Sequence, residues 1–581
     1  MKNGKEILKL PIIWLTVFVF VFGLFQTINN DELNSVVRSD GRGYYAYLPA
    51  FFIHHDGSFN QVIDTERKYN KGEQIYLYKD KNGKVYNKYF PGLAVLQSPF
   101  FITASAISYV IGQPVDGYNP VFMVLFLLGA FSYFILGVAF FTIVLQRLFP
   151  ENVSVMALNL IVFVFASPLF YYAIYSPGFT HLYSFALFGA FAMLIVKVKD
   201  SGSTRNYLML GLTLGLIFLV RPTNILVVFI LPFLLGDMES LKKFTGQLLS
   251  QGGVRFIAAL GSFLVVASLL FITWKWQTGN WIVWSYNGEG FNFLRPKIVE
   301  VLFSYRIGLL LHSPVLILSV IGLLMLLRKD RYRGITFVLY AILNIWVIAA
   351  WWCWDYESVF GNRPFTEHMV FLLIPALYLF QMKWKLMFSI LTFFGLLGIF
   401  RMYQTVTGIT PVARYSSSSY WQSLKSFSQD DIGRWNFTES CKPFGEVQSH
   451  VQLLNLTEPV IFDARKEFGL SETIKMVKQR TNERYYFTVK LKKRHDLSRF
   501  DGVYLVIDAT SNDSEERSYR AIDLYNDREE GKGVWSDELI FQGIIHDNEQ
   551  QFDQVKFYIW NQGGSTFELK DVQYEIEVYK G

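Results

Sequence analysis

The residues best suited to chemistry in this chain begin with one carboxylate set among arginines, glycines and tyrosines: Arg38-Ser39-Asp40-Gly41-Arg42-Gly43-Tyr44-Tyr45-Ala46-Tyr47-Leu48-Pro49. A carboxylate held near a hydroxyl can take its proton as a general base. Glycines let the backbone turn tightly and approach a ligand, and the faces of Tyr44 and Tyr45 are suited to stack on the apolar face of a sugar ring. The same residues also suit an interfacial aromatic belt, with Asp40 in a surface ion pair between its arginines.

Further polar groups recur at intervals between apolar stretches: Ser176-Pro177-Gly178-Phe179-Thr180-His181, Arg221-Pro222-Thr223-Asn224, Trp284 to Pro296 with Glu289, Phe303-Ser304-Tyr305-Arg306, and His312-Ser313-Pro314. The last runs from Trp351 to His368 and holds Asp355, Glu357, Arg363 and His368. An arginine at a membrane boundary needs an anion, and a lipid phosphate is the available one, so Arg221 and Arg306 stand out. Snorkelling of a long side chain to the interface is the plainer alternative. His181 also reads as a satisfied core histidine. No pair of histidines stands at metal-ligand spacing, and His54-His55-Asp56 would diverge on any regular element. No Walker loop, dinucleotide fingerprint or nucleophile elbow appears, which leaves nucleotide-driven transport and serine hydrolysis without support.

These groups need elements to position them, and composition says which. The chain has 581 residues, 52% of them hydrophobic and 17% aromatic, above an ordinary soluble composition. From Leu10 to about Met402 it alternates apolar stretches of membrane-spanning length with short polar turns. From Asp430 onward no such run remains, which is the chemistry of a soluble domain. The net charge of +6 sits mostly in the turns between apolar segments, so it points to orientation in a bilayer and not to nucleic acid.

Lys2, Lys5 and Lys9 precede the apolar run Pro11 to Ile28, an uncleaved first helix with a cytoplasmic N-terminus. Spans follow at about 121 to 145, 153 to 173, 182 to 196, 207 to 220, 224 to 236, 256 to 274, 308 to 327, 334 to 350, 367 to 380 and 386 to 402, about eleven in all. Basic turns at Arg147, Lys197 to Arg205, Lys242 to Arg255, Arg328 to Arg333 and Lys383 with Lys385 then fall on the cytoplasmic side. This parity requires residues 93 to 112, broken by Pro99 and Gly112, to form one or two helices that lie in the outer interface or dip back without crossing. The expected organisation is a membrane domain over residues 1–404, with an external loop at 29–92, then a linker at 405–429 and an external domain at 430–581. In that domain Tyr485 to Leu491, Val503 to Ala509, Val555 to Trp560 and Val572 to Tyr579 alternate like strands, and turn-rich Asn526 to Gly533 separates two of them, so a β-sandwich is expected. Cys353 and Cys441 carry little disulfide signal.

Over about residues 10 to 402 the sequence resembles the GT-C superfamily of membrane glycosyltransferases, which includes protein O-mannosyltransferases and the lipid A aminoarabinose transferase. The resemblance rests on a first helix, an external loop with an early acidic residue matched by Asp40, the aromatic-proline motif Tyr89-Phe90-Pro91-Gly92, and alternating helices beyond. Ser39 to Pro49, Val220 to Asn224 and Ser358-Val359-Phe360-Gly361-Asn362-Arg363-Pro364 look like a bacterial branch. Where several relatives place a second acidic residue, this chain has Thr180-His181. The resemblance implies a polyprenyl-phosphate-sugar donor, inversion at the anomeric carbon, and a glycan, lipid or protein acceptor.

On that reading Asp40 is the catalytic base, and Arg306, Arg363, Arg221 and Lys88 hold the lipid phosphate. Arg42, Tyr44, Tyr45, His181, Glu289 and Glu357 contact sugar or acceptor, and no metal or cofactor is called for. A lipid-linked glycan ligase or polymerase would share the donor chemistry. A transporter or flippase would show internal repeats with broken helices, and none is visible.

Overall fold

The apolar stretches fold as helices whose ends carry recognisable stop and start chemistry. The computed structural model describes residue 21 and residues 36–69, 76–80, 84–286, 289–356, 358–407, 409–410, 420–421, 423–427, 447–475, 483–494, 503–510, 517–524, 535–536, 538–544 and 553–580. The expected first span from Pro11 to Ile28, Glu357, Cys441 and the turn from Asn526 to Gly533 lie outside the described residues, but for residue 21. The chain forms two units, Met1–Phe400 and Arg401–Gly581.

Six helical segments among the described residues are long and apolar enough to cross a membrane by length and composition: Gly92–Val110, Pro120–Leu148, His181–Asp200, Val254–Thr278 and Arg331–Ala349 in the first unit, and Lys385–Val406, which ends within the second. Thr204–Val220 and Pro222–Leu235 are shorter apolar helical stretches. Asn119, Ser203 and Asp330 cap three of the helices, each side chain accepting from a backbone N–H of the first turn, at 2.8, 3.3 and 3.0 Å. The helix His181–Asp200 is buried along nearly its whole length and packs against Pro120–Leu148 and Thr204–Val220. The expected spans at 367 to 380 and 386 to 402 fall in one helical stretch, Met369–Val406. Tyr378 in its first half packs on Phe149, while Gly395 and Gly398 in its second half meet Val162 and Ala166.

Residues 93 to 112 fall within the expectation of one or two helices. They form one helix, Gly92–Val110, which passes through Pro99 and has the length and composition of a span. A proline inside a helix leaves the carbonyl four residues earlier without its donor. Here Ser98 Oγ donates to that carbonyl, on Val95, at 2.8 Å, so the helix continues. The preceding loop is also more ordered than its glycines suggest. It contains the helices Asp40–Pro49 and Asn60–Tyr69 and a two-stranded hairpin, β1 (Leu77–Lys79) with β2 (Val85–Asn87).

The second unit is a sandwich of two antiparallel sheets. One has the order β5-β10-β7-β8, from Phe468–Lys475, Gln554–Asn561, Val503–Thr510 and Arg517–Asp523. The other has the order β3-β11-β6-β9, from Val447–Leu456, Phe567–Lys580, Glu483–Arg494 and Leu539–Ile544, with β4 (Val460–Phe462) also paired to β11. Alternation decides which side is buried: Val572, Tyr574, Ile576 and Val578 face the core while Gln573, Glu575 and Glu577 remain partly exposed. Phe487 and Phe557 meet across the two sheets with ring centroids 5.8 Å apart. The strands expected from alternation are all present, inside β6, β7, β10 and β11.

Candidate functional site

Asp40 is the first residue of the helix Asp40–Pro49, after Ser39, whose φ of 49° is in the left-handed region. Two glycines in the first turns would ordinarily weaken a helix by about 1 kcal/mol each relative to alanine. Both are needed for close approach. A Cβ on Gly41 would lie 3.2 Å from the Gly178 carbonyl oxygen, and one on Gly43 would overlap the Tyr89 ring. Residues 40 and 44 lie one turn apart on one face, so Asp40 and Tyr44 look the same way.

Tyr89 meets them from the segment before the helix Gly92–Val110. Its hydroxyl donates to Asp40 Oδ1 at 2.7 Å, and its ring lies 4.6 Å from that of Tyr44. Its backbone is fixed at both ends: the N–H donates to Asn87 Oδ1 at 3.0 Å, and the carbonyl accepts from Tyr47 Oη at 2.7 Å. The second oxygen of Asp40, Oδ2, pairs with Arg363 Nη1 at 2.9 Å, leaving the Asp40 side chain 20% exposed. Arg363 in turn lies over the Phe179 ring, 5.0 Å from its centroid.

Burial alone would push the Asp40 carboxyl up, but Arg363, the Tyr89 hydroxyl, Lys88 and His181 outweigh it and hold it below its ordinary value. Burial, then the Asp40 charge, pushes the Tyr44 phenol up to about 12, so it remains a neutral donor. Lys88 is disfavoured as a cation by burial, yet its hydrogen bond to Glu289 more than compensates and raises it. The Lys88 Nζ to Glu289 Oε1 distance is 2.5 Å, and the ammonium sits 5.3 Å from the Tyr286 ring centroid.

Behind this layer is a buried carboxylate that reading the sequence passed over. Glu367 has no exposed side-chain surface. It holds His181 Nδ1 at 2.7 Å, the amide of Asn224 at 3.1 Å and Arg221 Nη1 at 3.5 Å. Asn224 also reaches Ser184 Oγ at 3.0 Å. Next to it, His368 Nδ1 shares a hydrogen bond of 2.7 Å with Tyr340 Oη. The signal for Glu367 was available: an acid four residues after Arg363, at the start of a long apolar run, is costly unless partnered.

Helix ends therefore converge here: the start of Asp40–Pro49, the start of Gly92–Val110 after Lys88 and Tyr89, the start of His181–Asp200, the end of Thr204–Val220 at Arg221, and the start of Met369–Val406 after Arg363 and Glu367. Of the residues singled out from sequence, Asp40, Tyr44, Lys88, His181, Arg221, Glu289 and Arg363 belong to this cluster. Three others do not. Arg42 turns to Glu66, with Nε 2.5 Å from Oε1, and Tyr76 Oη donates to the same carboxylate at 2.5 Å. Tyr45 is buried among Phe101, Tyr118 and Phe126, and its hydroxyl donates to the Gly117 carbonyl. Arg306 pairs with Asp355 and lies over the Trp354 ring. Asp355 also accepts from Cys353 Sγ at 3.1 Å.

No family model matches the chain. No curated protein matches it either. Among solved structures the chain is similar to the arabinosyltransferase EmbB from Mycobacterium smegmatis, with a TM-score of 0.34 and 11% sequence identity, over 86% of this chain. The match spans 60% of the length of the EmbB chain.

Proposed function

We propose that this chain is an inverting membrane glycosyltransferase of the GT-C type, which moves a sugar from a polyprenyl-phosphate donor to an acceptor hydroxyl. One observation carries the reading: a partly exposed carboxylate, Asp40, held between Tyr89 and Arg363, with the cations Lys88 and Arg221 and the aromatic faces of Tyr44, Tyr89 and Tyr286 around it. In the reaction the acceptor oxygen attacks the anomeric carbon, and its proton passes to Asp40. The bond from that carbon to the phosphate oxygen breaks, and polyprenyl phosphate leaves as the anion. Attack opposite the leaving group inverts the carbon. Guanidinium and ammonium groups stabilise the departing phosphate, so no general acid is needed. Tyr44 and Tyr286 supply faces for the sugar ring, and Glu367 fixes His181 and Arg221 behind it.

Six long apolar helices support the membrane assignment; the proposed orientation, a cytoplasmic N-terminus with the site and the β-sandwich outside the cytoplasm of a bacterial cell, rests instead on the basic turns and on Gly92–Val110 lying in the outer interface without crossing. A reporter fused after Arg333 is expected to read cytoplasm and one after Gly581 the outside. The catalytic test uses purified protein in lipid with a polyprenyl-phosphate pentose or hexose labelled in the sugar. Release of polyprenyl phosphate with label on an acceptor, lost in Asp40→Asn, is the expected result. No turnover with such donors, or full turnover in Asp40→Asn, would overturn the proposal.

A further inference from the structure

The four cations assigned to the lipid phosphate are each matched to a carboxylate in this structure: Lys88 to Glu289 at 2.5 Å, Arg221 to Glu367 at 3.5 Å, Arg363 to Asp40 at 2.9 Å, and Arg306 to Asp355. An arriving phosphate must therefore compete with a carboxylate for whichever cation it takes. The pairs are not equivalent. Glu289 and Asp355 accept no proton in the proposed transfer, and Glu367 keeps His181 and Asn224 whatever Arg221 does. Asp40 is the exception, because the group that has to accept a proton is the one that Arg363 neutralises.

We propose that Arg363 exchanges partners in the catalytic cycle, moving from its pair with Asp40 to the donor's phosphate as the donor binds, so that the base is released only when the leaving group is in place. The inference rests on the functional reading above. Its physical content is a coupling between two anions that share one guanidinium. When Arg363 turns to the phosphate, Asp40 keeps the Tyr89 hydroxyl, with Lys88 and His181 at longer range and the neutral phenols of Tyr44, Tyr172 and Tyr286 around it. It has lost its nearest cation, so its affinity for a proton rises as the acceptor hydroxyl needs it. Coupling is reciprocal: if phosphate binding makes Asp40 a stronger base, then removing the charge of Asp40 must make phosphate binding tighter.

That sign separates partner exchange from a fixed scaffold. The probe is farnesyl methyl phosphate, a diester with one charge that does not titrate in the working range, and the readout is its Kd for the full chain in lipid nanodiscs. Asp40→Asn is expected to bind it about 5- to 100-fold more tightly than the parent, the range of ordinary coupling between sites. In an Arg363→Ala background the same Asp40 substitution should have no effect, since the shared cation is gone. The parent alone offers a second measurement. Its affinity should rise as pH falls below neutrality, as bound probe draws a proton onto Asp40, and this rise should be missing in Asp40→Asn. Unchanged or weaker binding in Asp40→Asn, or a pH response that survives the substitution, would overturn partner exchange while leaving the transferase reading in place. If neither the parent nor any variant binds the diester, the functional reading fails and this inference fails with it.

Discussion

The helical unit and the β-sandwich treat charge in opposite ways. In the first, Glu367 and Asp355 are sealed from solvent and met by Arg221, His181 and Arg306, while Asp40 is nearly enclosed against Arg363. In the second, the core is apolar, and pairs such as Lys492 with Asp571 and Arg494 with Glu568 lie at the surface of the sheet. Its buried Lys493 gives its ammonium to the Leu524 carbonyl. An apolar core avoids the desolvation that a buried ion pair must overcome. The helical unit accepts that cost several times, and on the proposed function the return is an arrangement that acts on a charged donor.

The largest effect is expected from removing the most deeply buried member. Glu367→Ala leaves Arg221, His181 and Asn224 without their shared acceptor, and breaking a buried pair from one side costs about 3–5 kcal/mol. Thermal denaturation of the protein in lipid should register this as a large drop in Tm. Glu367→Gln keeps acceptor and donor atoms in place and should recover part of it. A loss no larger than that of a surface carboxylate would mean that the contrast between the units is only one of position.

Asp40→Asn comes next. It keeps the size of the side chain and its capacity to accept from Tyr89, but no longer offers a basic carboxylate. Transfer should fall by about a hundredfold or more, in line with general-base contributions of ~10² to 10⁴. Stability should change far less than in Glu367→Ala, because Asp40 is partly exposed and Arg363 can reach water. Gly43→Ala is expected to act by geometry alone. Its new methyl group would occupy the space of the Tyr89 ring and touch Tyr76 Cβ at 2.8 Å, so Tyr89 has to move off Asp40. A fall in turnover of about tenfold, smaller than that of Asp40→Asn and without change in charge, would separate placement of the base from its basicity.

These residues also mark what could be read in the sequence. The sandwich was legible because period-two alternation is a direct image of one buried face, as in Val572, Tyr574, Ile576 and Val578. Asp40 was singled out by its place in the external loop, and Arg221 and Arg306 because a charged group at the end of an apolar run needs an anion, yet of those two arginines only Arg221 lies in the cluster with Asp40. Arg42 and Tyr45 were grouped with Asp40 because Gly41 and Gly43 suggest a turn. The segment is a helix, and at about 100° per residue positions 42 and 45 leave the face shared by 40 and 44. Pro99 left the choice between one helix and two open, since the hydrogen bond from Ser98 Oγ to the Val95 carbonyl depends on one rotamer that no pattern reports. Glu367 was missed because what identifies it is its partners, and these come from residues 181, 221 and 224, far away in sequence.

The smallest expected effect lies in the sandwich and completes the comparison from the other side. Glu568 on β11 faces Arg494 on β6 with 3.6 Å between Oε2 and Nη1, and the two side chains are 28% and 43% exposed. They sit directly opposite each other in the ladder, where opposite charges help register. Water nonetheless solvates both ions before and after folding, and holding two long side chains in one geometry consumes much of the Coulomb gain. Arg494 also has the face of Trp535, 5.7 Å from its guanidinium carbon, so it is not stranded when the carboxylate becomes an amide. Glu568→Gln should therefore shift stability by no more than about 0.5 kcal/mol, and the shift should shrink as salt is raised, since exposed pairs are screened within ~10 Å at 0.1 M. A salt-insensitive loss of several kcal/mol would show that the sandwich also relies on a buried-type pair, and the division of charge between the two units would no longer hold.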